Sequence, residues 1–132
     1  MQKTAVERIK FYPPVEDEYG YTQTVRVGHT LHLSGMIGHD AGVMHPDPER
    51  QYQLVYQNIA EILDSNGACL ADVIRETVFY TAEMAGIDPA ARRAFRGAAY
   101  GEAFPASTWV QVAGLLTPGA FIEIEVTAVL PV

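Results

Sequence analysis

Phe104-Pro105-Ala106-Ser107-Thr108-Trp109, followed after a loop by Phe121-Ile122-Glu123-Ile124-Glu125-Val126, decides the fold. Strand side chains alternate between two faces. In the second stretch Ile122, Ile124, Val126 and Ala128 point one way, and Phe121, Glu123, Glu125 and Thr127 the other. In the first, Val110 and Val112 oppose Ser107, Trp109 and Gln111. The reading is two neighbouring strands, each with an apolar face and a mixed face of carboxylate, amide, hydroxyl and indole. On this reading Ser107, Trp109 and Gln111 share a face with Glu123 and Glu125.

Working outward, Val6–Phe11, Thr22–Val27, Thr30–Ser34 and Val73–Thr81 are expected strands, the second and third joined by a Gly28-His29 hairpin turn. Glu16-Asp17-Glu18 is expected to form an acidic turn, and Gly35 to Gly42 a glycine-punctuated loop whose backbone N–H groups face a cavity. A helix is predicted from Pro48 to about Gly67, with Asp47 as N-cap and Tyr52, Val55, Tyr56, Ile59, Ile62 and Leu63 on one stripe. A second runs from Pro89 to about Glu102. The order is β-ββ-α-β-α-ββ. Two helices cover only one face of such a sheet, which leaves the face of Glu123 and Glu125 for assembly with other copies.

Composition narrows the function. The 132 residues form one domain, large enough for a core of its own. The net charge of −7 disfavours a nucleic-acid-binding surface. Cys69 is alone, which excludes an internal disulfide, and is expected to be a small buried filler. No apolar run reaches the ~20 residues of a membrane span, and the start of the chain has no apolar signal core; a cytoplasmic protein is the expectation. His29, His32, His39 and His45 lack zinc-ligand spacing, and no P-loop or dinucleotide fingerprint is present, so no metal or cofactor is expected.

An ordered set of landmarks runs through the chain: Gly20-Tyr21-Thr22-Gln23, Gly28-x-x-Leu31-x-Leu33-Ser34-Gly35-x-Ile37, Gln57-Asn58-Ile59 with Leu63 and Gly67-Ala68, Asp72-Val73, Phe104-Pro105-Ala106-Ser107 and Ile122-Glu123-Ile124-Glu125. In these the chain resembles the Rid (reactive intermediate deaminase) family, also called YjgF or L-PSP endoribonuclease-like, over nearly its whole length. The resemblance implies an α+β, chorismate-mutase-like subunit, a mixed six-stranded sheet with two helices on one face, in a homotrimer with small-molecule sites in the clefts between subunits. It implies Glu123 as the catalytic residue that positions water against an imine carbon, with Tyr21, Ser34, Gly35, Met36 and Ile37 around the substrate. Ser107, Thr108 and Trp109 complete the pocket, although Trp109 serves equally as an interface anchor. Glu125 is assigned to pairing across the trimer axis.

Three departures from the pattern matter, one of them Ala90, which falls where deaminating members have an asparagine early in the second helix. Deaminating members carry arginine where Ser107 stands, and a guanidinium grips a carboxylate bidentately as a hydroxyl cannot. They also usually have glutamine where Met36 stands. The helix arginines Arg92, Arg93 and Arg96 are alternative anion grips, with pairing or solvation the more ordinary fate of such residues. The expected function is hydrolysis of an imine or enamine other than a simple 2-iminoacid. The competing expectation is a non-catalytic ligand-binding or chaperone-like trimer, and ribonuclease activity is disfavoured by the acidic charge.

Overall fold

The computed structural model describes residues 4–132. Eight strands and three helices follow one another as β1 (Val6–Ile9), α1 (Pro13–Tyr19), β2 (Thr24–Val27), β3 (Thr30–Ile37), β4 (His39–Asp40), β5 (Val43–Met44), α2 (Pro48–Ser65), β6 (Val73–Tyr80), α3 (Pro89–Tyr100), β7 (Ala106–Gln111) and β8 (Ile122–Val129). Six strands form one mixed sheet in the order β1-β2-β3-β8-β6-β7, in which only β6 and β7 run parallel. Parallel neighbours need a crossover, and α3 supplies it.

The alternation of β8 is as the sequence predicts: Ile122, Ile124, Val126 and Ala128 are buried, and the residues between them are not. Against them pack Leu31 and Leu33 of β3, Val78 of β6, and the whole predicted stripe of α2 from Tyr52 to Leu63. Burial of each large aliphatic chain is worth roughly 1.5–3 kcal/mol, so this one helix stripe supplies much of what holds α2 to the sheet. The Asp47 carboxylate caps α2 through the Glu49 N–H, with Pro48 at the first helical position.

Polar latches fix the end of β3 against α2. Asn58 donates to the carbonyls of Ile37 and His39 at 3.0 and 2.9 Å. Fully buried Gln51 donates to the carbonyls of His45 and Gly119 and accepts from the Phe121 N–H. Gly38 lies so close to the Gln51 carbonyl that a β-carbon there would collide with helix backbone.

Several expectations fail for physical reasons. The acidic turn is the short helix α1: Pro13 and Pro14 start it, and the buried Glu16 carboxylate holds it by accepting the N–H groups of Phe11, Tyr12 and Gln23. The fold therefore has three helices rather than two. The glycine loop does not leave β3 at Ser34; the strand continues through Gly35 to Ile37 across a bulge, and the rest folds into the β4–β5 hairpin. Cys69 is exposed rather than a buried filler, because its neighbour Ala68 fills the core.

The parity of β7 is also corrected. Its register places Trp109 beside Val78 and Ser107 beside Glu76, both buried on the helix side of β6. Ser107, Trp109 and Gln111 therefore share the face of α2 and α3, while Thr108 and Val110 share the bare face with Glu123 and Glu125. The indole follows the aromatic core, stacking on Tyr52 of α2 with centroids 5.9 Å apart.

Candidate functional site

On the bare face Glu123 lies beside Gly35 and Ile37, two of the residues that the sequence singles out. It lies opposite Ile37 of β3 and Phe79 of β6. Its side chain lies over Gly35, where a β-carbon would come within 2.5 Å of the Glu123 Oε1. Glycine at this position gives the carboxylate its space.

Tyr21 reaches the same place from the α1–β2 loop. That loop is tied down by Ser34, whose hydroxyl donates to the Thr22 carbonyl at 2.6 Å and whose N–H donates to the Gln23 carbonyl at 2.8 Å. Gln23 answers with its side-chain amide on the Ser34 carbonyl at 3.0 Å. Ser34 thus spends its proton on the backbone beside Tyr21. Burial, then the charges of Glu16 and Glu123, push the Tyr21 phenol above its ordinary value. It remains an O–H donor near the carboxylate.

Glu123 is half-buried, and burial followed by the charge of Glu125 raises its pKa. Among the described residues it accepts no hydrogen bond. A carboxylate held part-way out of water and without a partner is suited to taking and returning a proton. The same face holds a depression of about 320 Å³ lined by His32, Arg75, Thr77, Glu125 and Thr127, whose lining stops short of Glu123.

The remaining candidates divide. Met36 turns to the core side of β3, and Ile37 pairs with Glu123. Thr108 is on the bare face and accepts from Arg75 at 2.9 Å. Ser107 and Trp109 lie on the opposite side at the β7 edge, so one subunit cannot bring them to Glu123. His39 accepts the Gly42 N–H in the hairpin turn, and His32 lies on the bare face near Thr127. Among the described residues no His, Cys, Asp and Glu cluster could hold a metal ion, and no helix is long and apolar enough to cross a membrane.

Sequence reasoning did not single out Glu76, a completely buried carboxylate on the helix side of β6. Arg96 of α3 pairs with it, and the hydroxyls of Tyr100 and Ser107 donate to it at 2.7 and 2.9 Å. Arg96 is therefore paired, the more ordinary of its two readings. The one sequence signal was a lone acid on a buried parity of a β-rich run.

A mixed six-stranded sheet with two long helices on one face defines a class of small α+β proteins. A member of the YjgF/YER057c/UK114 family from Mycobacterium tuberculosis has this architecture, superposing with a TM-score of 0.79 at 25% identity over 96% of this chain and all of its own. The profile of the endoribonuclease L-PSP family matches residues 15–130, and the chain belongs to that family, the Rid or YjgF family. It is 31% identical to a 2-iminobutanoate/2-iminopropanoate deaminase of Dermatophagoides farinae over 80% of this chain and 81% of the relative. It is also 31% identical to the RutC family protein YjgH of Escherichia coli over 58% of this chain, a match spanning 62% of that relative's length.

Proposed function

We propose that the chain assembles as a homotrimer through its bare sheet face and hydrolyses an imine or enamine in the cleft between neighbouring copies. One copy contributes Glu123, Tyr21 and the Gly35–Ile37 backbone. The next contributes the β7 edge, with Ser107 and Trp109 from its helix-side face and Thr108 from the margin of its bare face. Division of these groups between opposite faces of one subunit is accommodated if each cleft takes one set from each of two copies.

In this reaction Glu123 takes a proton from a water molecule whose oxygen bonds to the C=N carbon. The proton passes to nitrogen, giving a carbinolamine; Glu123 then carries the hydroxyl proton to nitrogen as the C–N bond breaks and the C=O bond forms, and carbonyl product and ammonia leave. The supporting observation is Glu123 itself: half-buried, raised in pKa, seated on Gly35 and without a donor. Ser107 in place of a guanidinium makes a simple 2-iminoacid a poor fit and favours a neutral or ring-derived substrate. The deaminase among its relatives supports the reaction class.

A second reading, a ligand-binding trimer without turnover, is favoured by Ser107 alone. Glu123→Gln separates them in an imine-hydrolysis assay run beside light scattering. Loss of turnover with the trimer intact supports catalysis. Dissociation instead gives Glu123 an assembly role, and a stable wild-type monomer removes the cleft.

A further inference from the structure

The Glu76 cluster has the properties of a built site with a charge balance of its own. A carboxylate removed completely from water requires donors, and Glu76 gets them from three elements: Arg96 and Tyr100 of α3, Ser107 of β7, and Tyr56 of α2 at the longer distance of 3.5 Å. Burial, then the charge of Glu76, raises the phenols of Tyr56 and Tyr100, which keeps both protonated. Arg96 uses Nη1 for Glu76 and for the Tyr56 oxygen at 3.0 Å. Its remaining N–H groups have no partner among the described residues.

The cluster meets solvent at the β7 edge. Ser107 is exposed, accepts from the Trp109 indole N–H at 3.0 Å, and passes its own proton to Glu76. The half-exposed Trp109 ring also lies 5.8 Å from the Arg96 guanidinium. A ligand against this edge therefore meets the exposed part of an indole and a cation whose charge is already matched.

We propose that the Glu76–Arg96 pair sets the ligand class of the β7 edge: it admits uncharged, planar, hydrogen-bonding ligands and turns carboxylates away. This rests on the reading that the β7 edge forms half of the cleft. An approaching carboxylate would find the Arg96 charge already matched by Glu76 and the Glu76 charge itself one hydroxyl away. An amide or enamine carries no charge to be repelled, stacks on Trp109 and bonds to the unused guanidinium N–H groups. Arg96 touches the ligand, and Glu76 is a positioning residue acting through it.

Trp109 is the sole tryptophan of the chain, so its fluorescence reports binding at this edge. Benzoate and benzamide are near-isosteric probes that differ in charge, and their affinities are compared by titration. Wild type is expected to bind benzamide at least as tightly as benzoate. Glu76→Gln keeps the shape and an acceptor for Tyr100 while freeing the Arg96 charge, and should raise the benzoate-to-benzamide affinity ratio about tenfold, the scale of one charge-assisted hydrogen bond. Ser107→Arg, at an exposed edge position, should shift the ratio the same way and serves if Glu76→Gln does not fold.

A folded variant with an unchanged ratio overturns the proposal. So does a wild type that already prefers benzoate, or a Trp109 signal that responds to neither probe. Turnover with a flat ratio would sink this inference and leave the hydrolysis standing. A shifted ratio without turnover would do the reverse.

Discussion

Glu76 and Glu123 lie on adjacent strands and on opposite faces of one sheet, and the fold treats them differently. Glu76 is enclosed by α2 and α3, paired with Arg96 and bonded by Tyr100 and Ser107. Glu123 is half-buried over Gly35 and accepts from no donor among the described residues. On the covered face the chain satisfies its own charge. On the bare face it leaves charge unsatisfied, and unmatched carboxylates at a glycine-cleared spot are what a site completed by a ligand and a second copy needs. The contrast separates a carboxylate satisfied within the fold from one that the proposed hydrolysis would use.

The largest test of the contrast uses two glycines. At Gly38 a β-carbon would enter the Gln51 carbonyl of α2, a backbone neighbour that cannot rotate away. Gly38→Ala should cost about 3 kcal/mol, the upper range of overpacking, read as a lowered urea midpoint. At Gly35 the obstruction is the far end of the Glu123 side chain, which can swing aside. Gly35→Ala should keep the urea midpoint near wild type and cut hydrolysis by about a hundredfold, as a displacement near 1 Å can. If both variants lose stability alone, the bare face is structural and the comparison fails.

A smaller effect sharpens the covered side. The Tyr100 hydroxyl donates to Glu76, whereas the buried Tyr52 hydroxyl has no partner within hydrogen-bond distance among the described residues. Tyr100→Phe should destabilise by about 1.5 kcal/mol, since it strips a donor from a buried carboxylate. Tyr52→Phe removes an unsatisfied group and should be neutral or stabilising by about 1 kcal/mol. Opposite signs for the same chemical change, measured by calorimetric Tm, would show that the cluster rather than burial alone sets the cost.

What the residues reveal in advance follows from how each element is held. β8 is a central strand covered on one side, so its alternation assigns Glu123 and Ile124 to opposite faces without further information. α2 announces itself through Asp47-Pro48 and its apolar stripe. β7 is an edge strand with polar and apolar groups on both faces, so alternation alone cannot orient it; pairing with β6 decides, and it places Trp109 beside Val78. α1 is held by Glu16, whose buried carboxylate turns back to accept from Phe11 and Tyr12 and also accepts from Gln23, a fold-back that acidic composition alone does not reveal. The Glu76–Arg96 pair joins two elements across 20 positions with no local motif.

The smallest expected effect bears directly on Glu123. Burial, then Glu125, raises its pKa in the folded state, so the folded chain holds this proton more tightly than the unfolded chain does. The stabilising contribution is therefore complete below the ordinary carboxylate range and is lost as pH rises through the raised value. Glu123→Gln cannot lose it. The variant should match wild type in acid and become the more stable protein as pH climbs through that window, by no more than about 0.5 kcal/mol because the group is partly solvated. Wild-type hydrolysis should rise across the same window, since the base form does the work. Unfolding curves at matched pH values beside a pH–rate profile test both at once. A stability gap that opens where the rate rises ties the strain on the bare face to its chemistry, whereas a gap without a rate change leaves Glu123 as a destabilised interface residue.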